Sequence, residues 1–388
     1  MGRASCVSTF RSESVKFIPQ LADMVPYEPG QPLELVMRRF GLTEVVKLAS
    51  NEFPLPPFDE VRGEIVAAIA DLNRYPDGHC TDLRAALATH YGRTSDEIAV
   101  GNGSCELLML LGDVFLERGD EVVFADPSFT VYNDICLRHE ARAVTVPTVD
   151  FAHDLEAMAA AVTERTRIVV VCNPNNPTGT YVPVADVAAL IEAVPDDVLV
   201  VVDEAYNEFV SAPDAQDALE LQAAHGNVVV LRTFSKIYGL CGMRVGYGLC
   251  SPDIKRALDK VRQPFNVNRL AQAAAREALK HQDQVTDRAA TNAAVRAYMV
   301  ERLAAVRRAT VPSEANFMLV DVRGLRVPQE KVFEALLAQG AIVRDGNALG
   351  CPGWARVSVG TLAETDFFLE KLATLEPDPG PRSEGRTS

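Results

Sequence analysis

A lysine stands just beyond an apolar, strand-like run in this chain of 388 residues. Lys236 lies in the segment RTFSKIYGLCGMRVGYG, which begins where the run VVVL (228–231) ends. A lysine at the rim of a buried strand loses part of its hydration, and its amine can then form a covalent imine with an aldehyde. For this residue considered alone, a lysine in a surface loop is the simpler interpretation.

A carboxylate stands in a comparable place. Asp203 directly follows the apolar run VLVVV (198–202), so it lies at the rim of the core, where a charge needs a cationic partner. The protonated pyridine nitrogen of pyridoxal phosphate is such a partner, and that cofactor needs one to withdraw electrons. Tyr206, three residues later, and Asn176, beyond the preceding run, offer hydrogen bonds to the ring oxygen of the same cofactor.

Several groups suit a phosphate. The segment GNGSCE (101–106) places small residues before a predicted helix with Ser104 as a possible N-cap, and free N–H groups there favour an anion. Thr233 and Ser235 add hydroxyl groups close to the lysine, and Arg244 adds a charged fork. A glycine-rich turn alone is a weak signal. Here the other elements indicate the same ligand.

The elements that must position these groups alternate in type. Short apolar runs rich in β-branched residues recur at 98–100, 122–125, 168–172, 198–202, 228–231 and 245–250. Their length and composition are typical of buried strands, and helix-length segments separate several of them. The pattern predicts an α/β fold with a parallel sheet. Polar or glycine-rich segments follow five runs, and ligands bind at the carboxyl edge of such sheets, so we expect these endings to form the floor of one site.

The pattern changes beyond about residue 270. A long Ala- and Arg-rich stretch of helical character is followed by short strands and a helix, which indicates a smaller α/β unit. We predict a large domain at 46–270 and a small domain formed by 1–45 and 271–375. The tail 376–388, rich in Pro, Gly and charge, is predicted to be disordered.

Composition disfavours several classes of protein. Asp and Glu number 53 against 38 Lys and Arg, a formal charge of −15, which argues against nucleic-acid and anionic-membrane partners. The start of the chain has no secretory pattern, and no run approaches the roughly 18 apolar residues of a membrane span. Eight cysteines without a CxxC pair favour reduced thiols and no metal site. We therefore predict a cytoplasmic protein.

The chain resembles the histidinol-phosphate aminotransferases, a branch of the fold-type I enzymes that depend on pyridoxal phosphate. The resemblance rests on segments from about residue 45 to about residue 360, namely KLASNEFPLPP, RYPDG, GNGSCELL, DPSFTVY, CNPNNPTGT, VVDEAYNEF, LRTFSKIYGLCGMRVGYG, SEANFMLV, AIVRDG and ARVSVGT. NPTG, DEAY and the S-K…R-x-G pattern are specific to the fold type. NEFPLPP, RYPDG and SEANF indicate the branch, which also contains aromatic amino-acid aminotransferases and threonine-phosphate decarboxylases. A large, mostly parallel sheet flanked by helices and a smaller α/β domain are implied.

The resemblance implies roles around the cofactor. Lys236 would be the Schiff-base lysine and would shuttle a proton, Asp203 would hold the pyridinium, and Asn176 and Tyr206 would contact the ring oxygen. Phe129 would stack on the ring, although plain core packing explains it as well. The phosphate would be lined by Ser104, Cys105, Thr233, Ser235 and Arg244. Cys105 departs from the family, which usually has an acidic residue there.

The resemblance also implies roles around the substrate. Arg356 would grip an anionic end, Arg344 would bind a second anion, and Asn51 lies in the NEFPLPP loop near the substrate. Without the resemblance, both arginines would be interpreted as surface residues. Tyr75 of RYPDG would reach the phosphate of the neighbouring subunit, which implies a homodimer. The tip of the NEFPLPP loop contains more prolines than is usual in the family. Because this loop lies near the substrate, the difference affects the expected choice of substrate more than the expected chemistry.

The implied reaction is a ping-pong transamination in histidine biosynthesis. An amino donor, glutamate, yields 2-oxoglutarate, and imidazole-acetol phosphate is aminated to histidinol phosphate; the reaction also runs in reverse. An aromatic or broad-range aminotransferase stays open as an alternative, as does a decarboxylase or oxidase of specialised metabolism. A non-catalytic binding module with this fold is a further alternative. A nicotinamide enzyme is disfavoured because no G-x-G-x-x-G follows a strand.

Overall fold

The computed structural model describes residues 16–24, 26 and 30–377. Its strands are β1 (Val46–Leu48), β2 (Ile98–Gly101), β3 (Glu121–Asp126), β4 (Arg142–Pro147), β5 (Thr166–Cys172), β6 (Leu199–Asp203), β7 (Val228–Thr233), β8 (Gly246–Leu249), β9 (Phe317–Asp321), β10 (Ala341–Asp345) and β11 (Trp354–Ser358). Its α-helices are α1 (Leu33–Phe40), α2 (Asp59–Ala68), α3 (Thr81–Tyr91), α4 (Ser104–Phe115), α5 (Val131–His139), α6 (Leu155–Ala160), α7 (Val184–Ala193), α8 (Leu219–Ala224), α9 (Pro252–Val261), α10 (Arg269–Ala278), α11 (Gln282–Ala305), α12 (Val332–Ala338) and α13 (Leu362–Ala373).

The large sheet has the order β2-β8-β7-β6-β5-β3-β4. Strands β4, β3, β5, β6 and β7 pair in parallel, and β8 runs antiparallel to both of its neighbours. Along β5, Ile168 and Val170 pack into the hydrophobic cluster on one face, while Val169 and Val171 pack into the cluster on the other. Both faces are therefore covered, which explains the continuous apolar runs. The predicted α/β fold with a mostly parallel sheet is confirmed.

A second, four-stranded sheet has the order β1-β10-β11-β9. Strand β1 pairs in parallel with β10, and the other pairs are antiparallel. The predicted domain boundaries stay a prediction, but β1, at 46–48, is hydrogen-bonded into this smaller sheet rather than the large one. Of the predicted tail, residues 378–388 lie outside the described residues, whereas Glu376 pairs with Arg308 at 2.6 Å.

Helix α4 begins in a different way from the sequence prediction. Ser104 is the first residue of α4 rather than its N-cap, which is Gly103 at φ 82°. The same helix ends at Phe115, and Asp120 Oδ2 accepts a hydrogen bond from the Glu117 N–H at 2.7 Å shortly after that end. Such a local turn competes with the helical pattern.

The long Ala- and Arg-rich stretch forms two helices, α10 and α11, rather than one. The chain leaves the helical conformation at His281, which has φ −108° and ψ 51°. Helix α11 places Arg288, Asn292 and Arg296 one turn apart on one face, and all three are buried. The three side chains donate hydrogen bonds to the backbone carbonyl oxygens of Ile237, which directly follows Lys236, and of Ala315, which lies two residues before β9.

The described residues also bear on membrane, metal and cysteine chemistry. No helix among them is sufficiently long and apolar to span a bilayer. In the same part of the chain, no group of three or more His, Cys, Asp or Glu residues is placed to hold a metal ion. The seven cysteines that are described have free thiols, and most are buried.

Candidate active site

One cavity of about 770 Å³ lies between the carboxyl edge of the large sheet and the smaller sheet. It brings together the residues that the sequence predicted for the site, with the exception of Tyr75: Asn51, Ser104, Cys105, Phe129, Asn176, Asp203, Tyr206, Thr233, Ser235, Lys236, Arg244, Arg344 and Arg356. The segments that follow β2, β3, β5, β6 and β7 all contribute, so the five predicted endings do meet in one place. The position is the one that topology favours for ligands in open α/β sheets.

Lys236 lies three residues beyond β7, and its side chain is largely enclosed. Its Nζ donates a hydrogen bond to the carbonyl oxygen of Asn51 at 3.3 Å and lies 5.3 Å from the centre of the Tyr206 ring. Burial, and then the nearby positive charge of Arg356, lower the pKa of this amine from 10.5 to about 8. About a tenth of the amine is therefore neutral at pH 7, far more than for an ordinary lysine, and the neutral form is the one that a nucleophile or a base requires.

Asp203 is the last residue of β6 and is 3 % exposed. Its Oδ2 accepts a hydrogen bond from the Tyr132 hydroxyl at 2.9 Å, and its Oδ1 accepts one from the Ala205 N–H at 3.2 Å. Burial raises the pKa of this carboxyl group, while the hydrogen bond from Tyr132 opposes the rise. Within the described part of the chain, no Lys, Arg or His lies within ion-pair distance of this carboxylate. The site therefore favours a cationic ligand at this position.

The Tyr206 hydroxyl is the meeting point of two amides. It accepts hydrogen bonds from Asn51 Nδ2 at 3.2 Å and from Asn176 Nδ2 at 3.4 Å. Burial raises the pKa of Tyr206, so the phenol stays protonated and can donate to an oxygen in the cavity. Asn176 links this group to Arg356, whose Nη1 donates to Asn176 Oδ1 at 2.5 Å.

A second polar group gathers at the start of α4. The Arg244 guanidinium donates to Ser235 Oγ at 3.3 Å, and the Thr233 hydroxyl oxygen accepts from the Ser235 N–H at 3.0 Å. A Cβ atom on Gly246 would lie 2.5 Å from the Ser104 backbone nitrogen, and one on Gly103 would lie 2.6 Å from Arg244 Nη2. The two glycines thus allow the start of α4, strand β8 and Arg244 to approach one another closely. This brings N–H donors, hydroxyl groups and a guanidinium together, a set that suits a phosphate.

Cys105 and Phe129 complete this side of the cavity. Burial raises the pKa of the Cys105 thiol, so the side chain is neutral and supplies no charge to an anion. Its backbone N–H belongs to the first turn of α4, where helices leave such donors free. The Phe129 ring packs edge-on against Tyr132 at 5.8 Å and also lines the cavity, so its position is compatible both with core packing and with the predicted contact with a ligand.

The smaller sheet contributes two cations. Arg344 of β10 and Arg356 of β11 are directly opposite each other in the antiparallel register, and both line the cavity. Arg356 is 8 % exposed, and its Nη2 donates to the carbonyl oxygen of Ala49 at 2.9 Å. Residues directly opposite on paired strands point to the same face, so the two guanidinium groups make that end of the cavity positive.

Asn51 ties the two sheets together. Its φ is 53°, in the left-handed region that Asn tolerates better than most residues. Its N–H donates to Ser358 Oγ at 2.9 Å, and its carbonyl oxygen accepts from Asn316 Nδ2 at 3.1 Å as well as from Lys236. The residue is 2 % exposed, so it is a buried junction between the reactive amine and the smaller sheet.

Tyr75 lies apart from this cavity. Its ring is 78 % exposed and stacks on Phe265 at 4.6 Å between centroids. Among the described residues it does not line the cavity that contains Lys236, so its predicted role concerns a neighbouring subunit and stays a prediction.

Sequence reasoning did not single out Tyr132, Asn316 and Ser358. Tyr132 lies in the quoted segment DPSFTVY, three residues after Phe129, and its N–H donates a hydrogen bond to the Phe129 carbonyl oxygen at 3.1 Å where α5 begins. That spacing could have indicated a second group near the cofactor ring. Asn316 and Ser358 lie in the segments SEANF and ARVSVG, but no local pattern indicates that both contact Asn51.

The residues present fit pyridoxal phosphate. The buried Asp203 carboxylate, which has no cationic partner among the described residues, suits a protonated ring nitrogen, and the polar groups gathered at the start of α4 suit a phosphate group. The enclosed amine of Lys236 lies in the same cavity and suits an aldehyde. Asp203, Lys236, Asn176, Tyr206 and the phosphate-lining residues would hold the group.

Comparison with protein families gives a match to the model of class I and II aminotransferases over residues 43–372. A histidinol-phosphate aminotransferase of Moorella thermoacetica is 43% identical over 365 residues, which cover 93% of this chain and 94% of that protein. A histidinol-phosphate aminotransferase of Geobacillus thermodenitrificans is 40% identical and covers 91% of this chain and 96% of the relative.

Solved structures give the same picture. The crystal structure of histidinol-phosphate aminotransferase from Sinorhizobium meliloti in complex with pyridoxal 5′-phosphate is 32% identical, with a TM-score of 0.86, and covers 94% of this chain and 100% of that one. Aspartate aminotransferase of Thermus thermophilus with maleate has a TM-score of 0.81 at 24% identity, covering 93% of this chain and 100% of that one, and shares the fold.

Proposed function

The chain belongs to the class I and II aminotransferase family and is a pyridoxal-phosphate-dependent aminotransferase, and from this premise we propose that it interconverts histidinol phosphate and imidazole-acetol phosphate. Glutamate and 2-oxoglutarate would be the other pair of substrates, and histidine biosynthesis the pathway. The relatives named above support this substrate, and the two arginines of the smaller sheet supply the chemistry to bind it.

Lys236 carries the central role in this proposal. When bound, pyridoxal phosphate supplies an aldehyde that condenses with amines and a ring that withdraws electrons from the substrate carbon next to the nitrogen. The neutral Nζ of Lys236, with its pKa of about 8, would take up the proton from that substrate carbon. It would then deliver the proton to the carbon that carried the cofactor's aldehyde group. The carbonyl oxygen of Asn51, 3.3 Å away, orients the amine.

The surrounding residues hold charge where the reaction needs it. Asp203 presents a carboxylate in a dry site, where its attraction for a cation is stronger than in water. The Tyr132 hydroxyl keeps that carboxylate oriented and opposes its protonation. Tyr206 and Asn176 offer hydrogen bonds to an oxygen beside the reacting carbon.

The observation that carries the substrate assignment is the pairing of Arg344 with Arg356 in the cavity that holds Lys236. Two guanidinium forks can accept either a carboxylate or a phosphate monoester. One cavity therefore accommodates the carboxylate of glutamate in one half of the cycle and the phosphate of histidinol phosphate in the other.

The test is to compare acceptors with glutamate as the donor. Imidazole-acetol phosphate should exceed phenylpyruvate in kcat/KM by at least about 10²-fold, because a site built for a phosphate rejects a molecule that lacks one. The Arg344→Gln variant should lose activity mainly with the phosphate-bearing acceptor. Equal rates with both acceptors would instead identify an aromatic or broad-range aminotransferase, and release of CO₂ would identify a decarboxylase.

We also propose a homodimer in which Tyr75 acts across the interface. The exposed stack of Tyr75 on Phe265 supports this, because Ile69 and Leu72 nearby in the chain are also half exposed and apolar. Lys236→Ala and Tyr75→Ala proteins, mixed after unfolding, would form hybrids with one intact site. Activity that reappears on mixing supports a shared site, and no recovery contradicts it. A cytoplasmic location is proposed with it, and fractionation of the source cells would test it.

A further inference from the structure

Arg288 of helix α11 is a buried cation with an unusual set of partners. It is 8 % exposed, and within the described chain no carboxylate lies within ion-pair distance of it. Burial without a compensating acid lowers its pKa to about 10. A buried guanidinium that only served stability would be expected to have an acidic partner, as Arg308 has in Glu376.

Two carbonyl oxygens take the place of the acid. Arg288 Nη1 donates to the carbonyl oxygen of Ile237 at 2.8 Å, and Nη2 donates to the carbonyl oxygen of Pro56. Ile237 directly follows Lys236, and Pro56 lies five residues after Asn51. The two acceptors therefore belong to the two segments that meet where Lys236 Nζ donates to the Asn51 carbonyl oxygen.

Two aromatic rings hold the guanidinium in place. Its central carbon lies 4.8 Å from the centre of the Phe53 ring and 4.0 Å from the centre of the Phe58 ring. Both phenylalanines belong to the same segment as Pro56, and cation–π attraction is strongest where water is excluded. The planar fork of arginine can satisfy both carbonyls and both rings at once, whereas a lysine ammonium cannot.

The backbone on the far side leaves little space. A Cβ on Gly239 would lie 3.0 Å from the carbonyl oxygen of Leu55 and 3.3 Å from Arg288 Nη1, so the turn after Lys236 and the Asn51–Phe58 segment are in close contact. Gly239 has φ 69°, which other residues adopt only with strain. This close approach makes the position of one segment depend on the other.

From this geometry we propose that Arg288 is a positioning residue, which clamps the Asn51–Phe58 segment to the Lys236 turn and so sets the contact between Lys236 Nζ and the Asn51 carbonyl oxygen. The inference rests on the aminotransferase chemistry of Lys236 but not on the identity of the acceptor. Helix α11 thereby acquires a part in the reaction, although it contributes no residue to the cavity lining.

The test uses holoenzyme of Arg288→Lys and Arg288→Met, with the Arg308→Met variant as the control. The side chain of Arg308 is similarly buried, but it pairs with Glu376 and is not part of the cavity lining. Readouts are the pH at which the visible absorption band of the resting enzyme changes, kcat and KM for glutamate, and Tm. The resting spectrum needs no substrate, so its outcome is independent of the proposed acceptor.

Both Arg288 variants should shift the spectral midpoint by at least about one pH unit, and kcat for glutamate should fall roughly tenfold or more with a smaller change in KM. Arg308→Met should lower Tm and leave the spectrum and kcat unchanged.

If Arg288→Lys behaves like the unmodified enzyme, a positive charge suffices and the clamp is refuted. If both variants lower Tm but leave the midpoint and kcat unchanged, Arg288 is structural only. Should Arg288→Met fail to fold, Arg288→Lys and Arg288→Gln decide between these outcomes.

Discussion

The two walls of the active-site cavity are built in different ways. The large-sheet wall consists of Asp203, Lys236 and other groups that lie at or a few residues beyond the ends of parallel strands. The small-sheet wall consists of Asn51, Arg344 and Arg356, which come together through contacts such as Asn51 with Ser358, 307 residues apart in sequence. Groups at strand ends are positioned by their own strand, whereas the second wall exists only when the whole chain is folded. We propose that the chemistry common to all substrates depends mainly on the first wall, and that the recognition of a particular substrate depends mainly on the second.

Loss of the amine is the most severe test of the large-sheet wall. Lys236→Ala should lower kcat roughly 10³-fold or more with every donor and acceptor, because no other base replaces it. Cofactor should still bind, held by the remaining groups. Steady-state rates with two acceptors check this, and Lys255→Ala, which removes a buried lysine paired with Asp259 outside the cavity, is the control. Near-normal turnover in Lys236→Ala would refute its catalytic role.

Neutralising the buried carboxylate should have the next largest effect. Asp203→Asn should lower kcat about 10²-fold, equally for all acceptors, because it removes a fixed charge from a dry site. Asp217→Asn removes a carboxylate that pairs with Arg232 away from the cavity, and it should leave kcat unchanged. An Asp203→Asn effect confined to one acceptor would contradict the division of labour between the walls.

A change in the small-sheet wall should alter binding rather than chemistry. Arg356→Gln should raise KM for glutamate and for the phosphate substrate roughly tenfold or more, the loss expected for a charged hydrogen bond, while kcat changes less. Titration with cofactor should show nearly unchanged affinity. Arg323→Gln, on an exposed arginine paired with Asp321, serves as the control. An unchanged KM for both substrates would remove Arg356 from the substrate site.

The smallest expected effect concerns stability and pH. In the cofactor-free protein, burial lowers the pKa of Lys236 from 10.5 to about 8, so between these values the unfolded chain binds more protons than the folded one. The contribution of Lys236 to stability is therefore least favourable below about pH 8 and improves as the pH rises towards 10.5. The Tm difference between the unmodified protein and Lys236→Met, measured from about pH 7 to about pH 10, should shift in favour of the unmodified protein. A constant difference would show that the amine is not desolvated.

The two walls also differ in how much of their structure can be predicted from the sequence. The apolar runs predict β2, β3, β5, β6, β7 and β8, since strands buried on both faces leave a clear signal. The apolar runs do not predict strand β4, because it lies at the sheet edge and most of its residues are only partly buried or exposed. Once strand ends are known, topology alone brings Asp203 and Lys236 to one edge.

The small-sheet wall could not be predicted from local patterns. Arg344 and Arg356 look like surface residues, and only the resemblance to a family suggested otherwise. Their shared face depends on a strand register that spans distant parts of the chain, and the junction at Asn51 depends on Asn316 and Ser358. Pairings of that kind follow from the complete fold and leave no periodic trace in the sequence.

In the proposed substrate site, the register that places Arg344 opposite Arg356 makes recognition depend on the length of one hairpin. A slip of β10 against β11 by a single residue would turn a guanidinium group away from the cavity while leaving the hydrogen-bonded ladder intact. The intervening turn tolerates little adjustment, because a Cβ on Gly346 would lie 2.2 Å from the Trp354 carbonyl oxygen. Insertions and deletions within 346–353 are therefore a route by which descendants of this enzyme could exchange their substrates without altering any residue that does the chemistry.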